Sequence, residues 1–230
     1  MATKITFYGH AALGIETGGY QLLVDPYLSG NPNTAISKEE VKPDYILVTH
    51  GHGDHLGDSE EIARRTKAVV ISNSKIGDWL EVRGVNTHMQ QVGGGYQHPF
   101  GYLLMTFALH GSNLEDGTCG GMPGGFLLTT NSNERIYLAG DTGLFGDMRM
   151  IGEAGIDVAA LPIGGNYTMG PVEALQAVKL IQPRFVIPIH YNTFDLIKQD
   201  EQAWKLKVEK ETKAKVILLK PGENFVLPEM

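Results

Sequence analysis

Thr49-His50-Gly51-His52-Gly53-Asp54-His55 sets the fold expectation for the whole chain. His50, His52, Asp54 and His55 are all metal-ligand types, and imidazole with carboxylate suits zinc and its first-row neighbours. The apolar run Tyr45–Thr49 before the cluster predicts a strand, and Ser59–Thr66 after it predicts a helix. The cluster then lies in a strand-to-helix loop, where functional groups sit on a rigid scaffold. Gly51 and Gly53 are expected to take backbone angles closed to other residues, folding the side chains towards one point. A histidine-rich surface loop is the plain alternative, and this spacing argues against it. A closed structural site normally takes four ligands, often cysteines, whereas this chain has one cysteine, Cys119.

Further ligands are sought just beyond the C-terminal ends of apolar strands. His110 follows Leu103–Leu109, Asp141 follows Ile136–Ala139 and Gly140, and His190 follows Phe185–Ile189. Each alone more often caps or packs; the shared context points to ligation. With His50, His52, Asp54 and His55 they exceed what one ion needs, which predicts two metals with an open position. Other strands are expected at Ile5–Tyr8, Leu13–Glu16, Gln21–Val24, Ala68–Ile71, Thr87–Val92, Phe126–Thr129, Val158–Leu161 and Val216–Leu219. Helices are expected at Ile76–Arg83, Phe145–Ala154, Pro171–Ile181 and Leu196–Thr212. Many apolar strands with interspersed helices call for two packed sheets with helices outside, in one domain spanning 1–230.

Composition narrows the function classes. The 230 residues are 42% hydrophobic, enough for a core of their own. The net charge of −7 disfavours general nucleic-acid binding. A single cysteine, no signal-like N-terminus and no long apolar run make a cytoplasmic protein with no membrane span the expectation.

His50-x-His52-x-Asp54-His55, a lone His110, the Gly140-Asp141-Thr142 aspartate and a strand-end His190 resemble the metallo-β-lactamase superfamily, in its order and through most of the chain. Tyr8-Gly9-His10-Ala11, Val24-Asp25-Pro26 and Gly164–Gly170 look like its compact branch of metal-dependent hydrolases, similar to the L-ascorbate-6-phosphate lactonases. The resemblance implies an α+β fold, a four-layer αβ/βα sandwich with the metals at one edge of the sheets. It also assigns His50, His52 and His110 to a first ion, Asp54, His55 and His190 to a second, and Asp141 to a bridge. The oxygen- and nitric-oxide-reducing di-iron members carry Glu where this chain has His52, so the resemblance favours hydrolysis over redox chemistry.

The expected activity is hydrolysis of a small ester, lactone or phosphoester by water activated on two divalent ions. Zinc is the leading ion, with manganese, nickel and iron as alternatives. Coordination lowers the pKa of bound water from 15.7 towards about 7. Two divalent ions, two carboxylates and one hydroxide sum to 4 − 2 − 1 = +1, which predicts a small anionic substrate. Asp54 and His10 are the catalytic candidates, Asp54 to hold or accept the water proton and His10 to bind substrate or protonate a leaving group. Asp25 is a candidate partner for a metal-bound histidine, or else a turn former before Pro26. Asn166 and Tyr191 are weaker substrate contacts, and His88, His98 and Cys119 are read as structural or plain. A nuclease or phosphodiesterase, and a non-catalytic metal or ligand sensor, are the competing classes; a homo-oligomer stays open.

Overall fold

The computed structural model describes residues 2–34 and 36–228. The chain opens with two tight turns joining β1 (Lys4–Gly9), β2 (Ala12–Thr17) and β3 (Tyr20–Val24) into an antiparallel meander. In β1, Ile5 and Phe7 are buried and Lys4 and Thr6 are half-buried, the period-2 alternation of a strand with one face on a core. β4 (Tyr45–Leu47), β5 (Val69–Ser72) and β6 (Thr87–Met89) then add in parallel. The crossovers carry α1 (Gly53–Leu56), α2 (Ser59–Thr66) and α3 (Ser74–Glu81). Asn73 starts α3 by accepting from the Lys75 and Ile76 backbone N–H groups at 2.9 and 3.1 Å.

The second sheet repeats the plan. β7 (Gly95–His98), β8 (Gly101–Phe107), β9 (Gly124–Thr130) and β10 (Arg135–Leu138) are antiparallel neighbours. After α4 (Met148–Glu153), β11 (Val158–Pro162) pairs parallel with β10. α5 (Pro171–Ile181), β12 (Phe185–Ile189), α6 (Glu201–Glu211) and β13 (Lys215–Val216) follow, with both strands parallel to β11. The chain then crosses back to add β14 (Asn224–Val226) beside β1 in the first sheet. The strand orders are β14-β1-β2-β3-β4-β5-β6 and β13-β12-β11-β10-β9-β8-β7.

Three apolar clusters define the layers. Ile15, Leu22, Leu47, Phe126, Leu138 and Ile187 belong to the one drawing on both sheets. Ile46, Ile62, Ile76 and Leu80 join the first sheet to α2 and α3. Tyr137, Leu175, Val178 and Trp204 join the second to α5 and α6. The order helix–sheet–sheet–helix is the expected four-layer sandwich. Removing one such Ile or Leu side chain from water contributes about 1.5–3 kcal/mol, so the layers are held mainly by apolar burial.

The strand expected over Val216–Leu219 shortens to Lys215–Val216. The helix expected over Leu196–Thr212 splits into a short turn, Asp195–Ile197, and α6, because Asp200 Oδ1 accepts from Ala203 N at 2.8 Å and caps a new start. β7 and β14 were not expected; both are edge strands with mostly exposed or half-buried residues and no apolar alternation.

Candidate metal centre

All seven ligand candidates meet at one edge of the sandwich, beyond strand ends. β4 leads into Thr49 and His50, and α1 carries Asp54 and His55. Gly51 and Gly53 are absent from the positive-φ glycines, so their role is spatial rather than conformational. A Cβ on Gly51 would stand 3.2 Å from the Asn113 carbonyl, and one on Gly53 would stand 2.6 Å from Glu115 Oε1. The loop after β8 presses on the histidine loop and needs that room; Ser112 Oγ accepts from Gly51 N at 3.1 Å. Gly140 does need its angle: φ is +60°, and a Cβ there would stand 2.8 Å from Thr49 Cβ. This contact carries Asp141 towards the histidine loop. Thr142 then accepts from Leu109 N at 2.9 Å, tying Asp141 to the segment that bears His110.

Three groups of ligand atoms lie within 4.8 Å of one another: His50, His52 and His110; His10, Asp54, His55 and His190; and His50, His55 and Asp141. Asp141 approaches histidines of the first two groups, with Oδ1 3.2 Å from His55 Nε2 and Oδ2 3.1 and 3.5 Å from His190 Nε2 and His110 Nε2. His50 Nε2 and His110 Nε2 lie 3.0 and 3.3 Å from His52 Nδ1.

Around these atoms the hydrogen bonds orient rings. Asp25 Oδ2 accepts from His55 Nδ1 at 2.9 Å and from Thr49 Oγ1 at 2.7 Å, and Oδ1 accepts from Thr49 N at 2.8 Å. Thr49 Oγ1, having donated to Asp25, accepts from His50 Nδ1 at 3.0 Å. One buried carboxylate thereby fixes the tautomers of two histidines and leaves both Nε2 atoms facing inward. Asp25 itself sits at φ +43°, and His10, Asn166, His190 and Asn192 are also at positive φ. Such strain in non-glycine residues gathers where the surroundings over-determine the backbone.

The electrostatics are those of acids and imidazoles crowded out of water. Burial alone would raise the Asp141 carboxyl and lower the His55 imidazole, yet their mutual attraction holds Asp141 well below and His55 well above its ordinary value. His190 is pushed up to about 9, burial opposing and Asp141 and Asp54 prevailing. Burial pushes His50 well below its ordinary value and His10 down to about 4. Asp54 is held low, as the hydrogen bond from His10 and the nearby His190 imidazole, 3.7 Å away, outweigh burial.

Among the described residues, the ion pairs of Asp25, Asp54 and Asp141 are all with histidines, none with Lys or Arg. His55 Nε2, His190 Nε2 and Asp141 Oδ1 are buried with no hydrogen-bond partner, although they lie close together. Near but misaligned, they face a shared centre rather than each other. Unsatisfied buried polar atoms are costly unless something is meant to bind them. A cation satisfies both the charge and the lone pairs, so the donor set fits a metal ion.

The remaining candidates divide. His10 has a fully buried side chain with Nε2 3.1 Å from Asp54 Oδ2. Asn166 is an exposed loop residue. Tyr191, which burial raises to about 12, lines a cavity of about 410 Å³ with Asn192, Lys220 and Glu223. His88 and His98 stand 4.7 Å apart on β6 and β7, outside every ligand group. Cys119 is exposed, paired by a lone bridge to Asn113. Reading the residues in order passed over Thr49 and Thr193 as partners of site groups; a threonine beside a histidine carries no signal until the fold shows what its hydroxyl meets.

Comparison with known proteins identifies the family and the fold. The family profile described as "Beta-lactamase superfamily domain" matches residues 4–190. A UPF0173 metal-dependent hydrolase of Bacillus thuringiensis subsp. konkukian is 45% identical over 97% of this chain and 100% of its own length. Igni18, a metallo hydrolase of the archaeon Ignicoccus hospitalis, superposes with a TM-score of 0.92 at 37% identity over 100% of both chains. An isothiocyanate hydrolase from Delia radicum gut bacteria shares the fold, with a TM-score of 0.77 at 18% identity over 97% of this chain and 99% of that one. The chain belongs to the beta-lactamase superfamily, and within it to the UPF0173 metal-dependent hydrolases.

Proposed function

We propose that this single-domain, cytoplasmic protein hydrolyses a small ester, lactone or phosphoester with two divalent ions, zinc foremost, held at the edge of the sandwich. His50, His52 and His110 hold one ion, Asp54, His55 and His190 the other, and Asp141 serves both. The ions supply a water made acidic enough to ionise near neutral pH and a positive centre for the substrate's carbonyl or phosphoryl oxygen. The observation that carries this reading is the set of buried, unpartnered atoms on His55, His190 and Asp141, with no Lys or Arg among the described residues paired to the acids.

The protein's own part is orientation. Asp25 and Thr49 set the His50 and His55 rings. Asp54, whose side chain is partly exposed, offers its carboxylate as the proton acceptor on the open side, and His10 holds that carboxylate from behind. Asp25 also changes the charge sum. Buried against His55, it takes the formal total from +1 to 1 − 1 = 0. The pull on anions is weaker than the ligands alone suggest, which puts neutral esters and lactones beside phosphoesters as substrates. No helix among the described residues is long and apolar enough to cross a membrane.

The deciding experiment loads metal-stripped protein with zinc, manganese, nickel or iron, counts bound ions, and assays p-nitrophenyl esters, lactones and phosphodiesters. Two ions per chain with metal-dependent turnover are expected. One ion at saturation would end the two-metal reading, and a fully loaded protein that turns over none of the panel would favour a sensor.

A further inference from the structure

His190 and His10 are joined through the backbone before their side chains meet. The His190 N–H donates to the His10 carbonyl at 2.8 Å, clamping the β1–β2 turn of the first sheet to the end of β12 in the second. Both residues sit in the left-handed region, with φ 53° and 56°. The clamp fixes the direction of the chain after His190 and brings Thr193 onto the His10 ring, with Thr193 Oγ1 2.8 Å from His10 Nδ1. The opposite ring nitrogen, Nε2, faces Asp54 Oδ2 at 3.1 Å. Asp54 is ionised and accepts only, so Nε2 must donate. A neutral ring that donates through Nε2 accepts through Nδ1, which makes the Thr193 hydroxyl the donor. Its other acceptor, the Tyr191 carbonyl, is 3.4 Å away and much the weaker partner.

We infer that Thr193 is a positioning residue: its hydroxyl locks His10 in the tautomer that donates to Asp54, and so fixes the orientation of the Asp54 carboxylate at the open side of the site. This rests on the reading of Asp54 as a site carboxylate. Removing the hydrogen-bond partner of a ligand typically changes affinity or activity 10–100-fold; Thr193 acts through that partner, His10, so its loss belongs at the lower end of that range.

The test compares wild type with Thr193→Val, which keeps the shape and removes the hydroxyl, and Thr193→Ser, which keeps the hydroxyl. Histidine-labelled protein, metal-free and zinc-loaded, is examined by two-dimensional proton–nitrogen NMR, which reads the tautomer of each ring. The His10 signals are assigned by their loss in His10→Gln. The zinc-loaded proteins are also assayed on p-nitrophenyl acetate and bis(p-nitrophenyl) phosphate. Wild type and Thr193→Ser should show one His10 tautomer, protonated at Nε2. Thr193→Val should show a mixture, with kcat down about tenfold, KM within about twofold and zinc content unchanged.

An Nε2-protonated His10 that persists in Thr193→Val, or a wild-type His10 protonated at Nδ1, would overturn the assignment. Loss of one zinc ion in His10→Gln would overturn it too, since His10 would then be a ligand rather than a holder of Asp54. If wild type hydrolyses neither probe, the proposed function fails on its own, while the tautomers in the metal-free protein still decide the role of Thr193.

Discussion

His55 and Asp25 lie 30 residues apart and meet inside the protein, Nδ1 donating to Oδ2 across 2.9 Å. The bond leaves His55 Nε2 free on the inner side, where it is buried without a partner. Asp25 holds Thr49 with the same oxygen and so reaches His50 as well. Asp25→Asn should therefore disturb one histidine of each proposed ion. We expect metal affinity to fall roughly 10–100-fold at both sites, read by competition with a chromogenic chelator. Affinity within twofold of wild type at both sites would mean that Asp25 serves only its turn.

Asp141 and His88 make a contrasting pair. Asp141 lies close to His55, His110 and His190, while His88 packs on Tyr96 and His98 and belongs to none of the ligand groups. Asp141→Ala should reduce bound metal at both positions. His88→Ala should keep wild-type metal content. Equal losses in the two variants, measured by elemental analysis after gel filtration, would contradict the proposed ligand set.

Glycine substitutions separate angle from space. At Gly140 a methyl group meets Thr49 Cβ at 2.8 Å and the backbone stands at φ +60°. At Gly53 the clash is only with the free end of Glu115, which can swing away. Gly140→Ala should lose about 1–3 kcal/mol of stability, with reduced metal binding as Asp141 shifts. Gly53→Ala should stay within about 1 kcal/mol of wild type, the usual range for a substitution that a surface side chain can accommodate. Chemical unfolding of the metal-free proteins measures both.

Acid–base linkage gives the metal-free protein a distinctive pH dependence. His190 is raised from 6.5 to about 9 in the folded state, burial opposing and Asp141 and Asp54 prevailing. A group whose folded pKa is raised adds stability that is complete below 6.5 and is lost as pH rises through 9. His55 is shifted the same way. The melting temperature of stripped protein should fall between pH 6.5 and 9.5, and zinc-loaded protein should lose less, because the ion replaces the protons. Below pH 9 zinc binding should release protons, seen as a buffer-dependent enthalpy in calorimetry. Stripped protein equally stable at both ends of the window would show that these imidazoles are not held protonated by the site's acids.

What the residues in order determine here follows from local physics. Short apolar runs predicted most of the strands, because a strand covered on both faces, such as Val158–Pro162, is apolar along its whole length. Ser59–Thr66 and Pro171–Ile181 form helices with the expected bounds. His50-Gly51-His52-Gly53-Asp54-His55 announced a metal centre through side-chain chemistry alone. Tertiary structure decided the rest, because it depends on groups far apart in the chain. It chose β7 and β14 as edges through pairing with β8 and β1, where local alternation was too weak to show them. It gave Gly51 and Gly53 a spatial role, since only packing brings Asn113 and Glu115 over them. It also joined Asp25 to His55 and Thr193 to His10, 30 and 183 residues apart. A hydroxyl or carboxylate gains its meaning from the atom it meets, and that meeting is set by two sheets closing on one core.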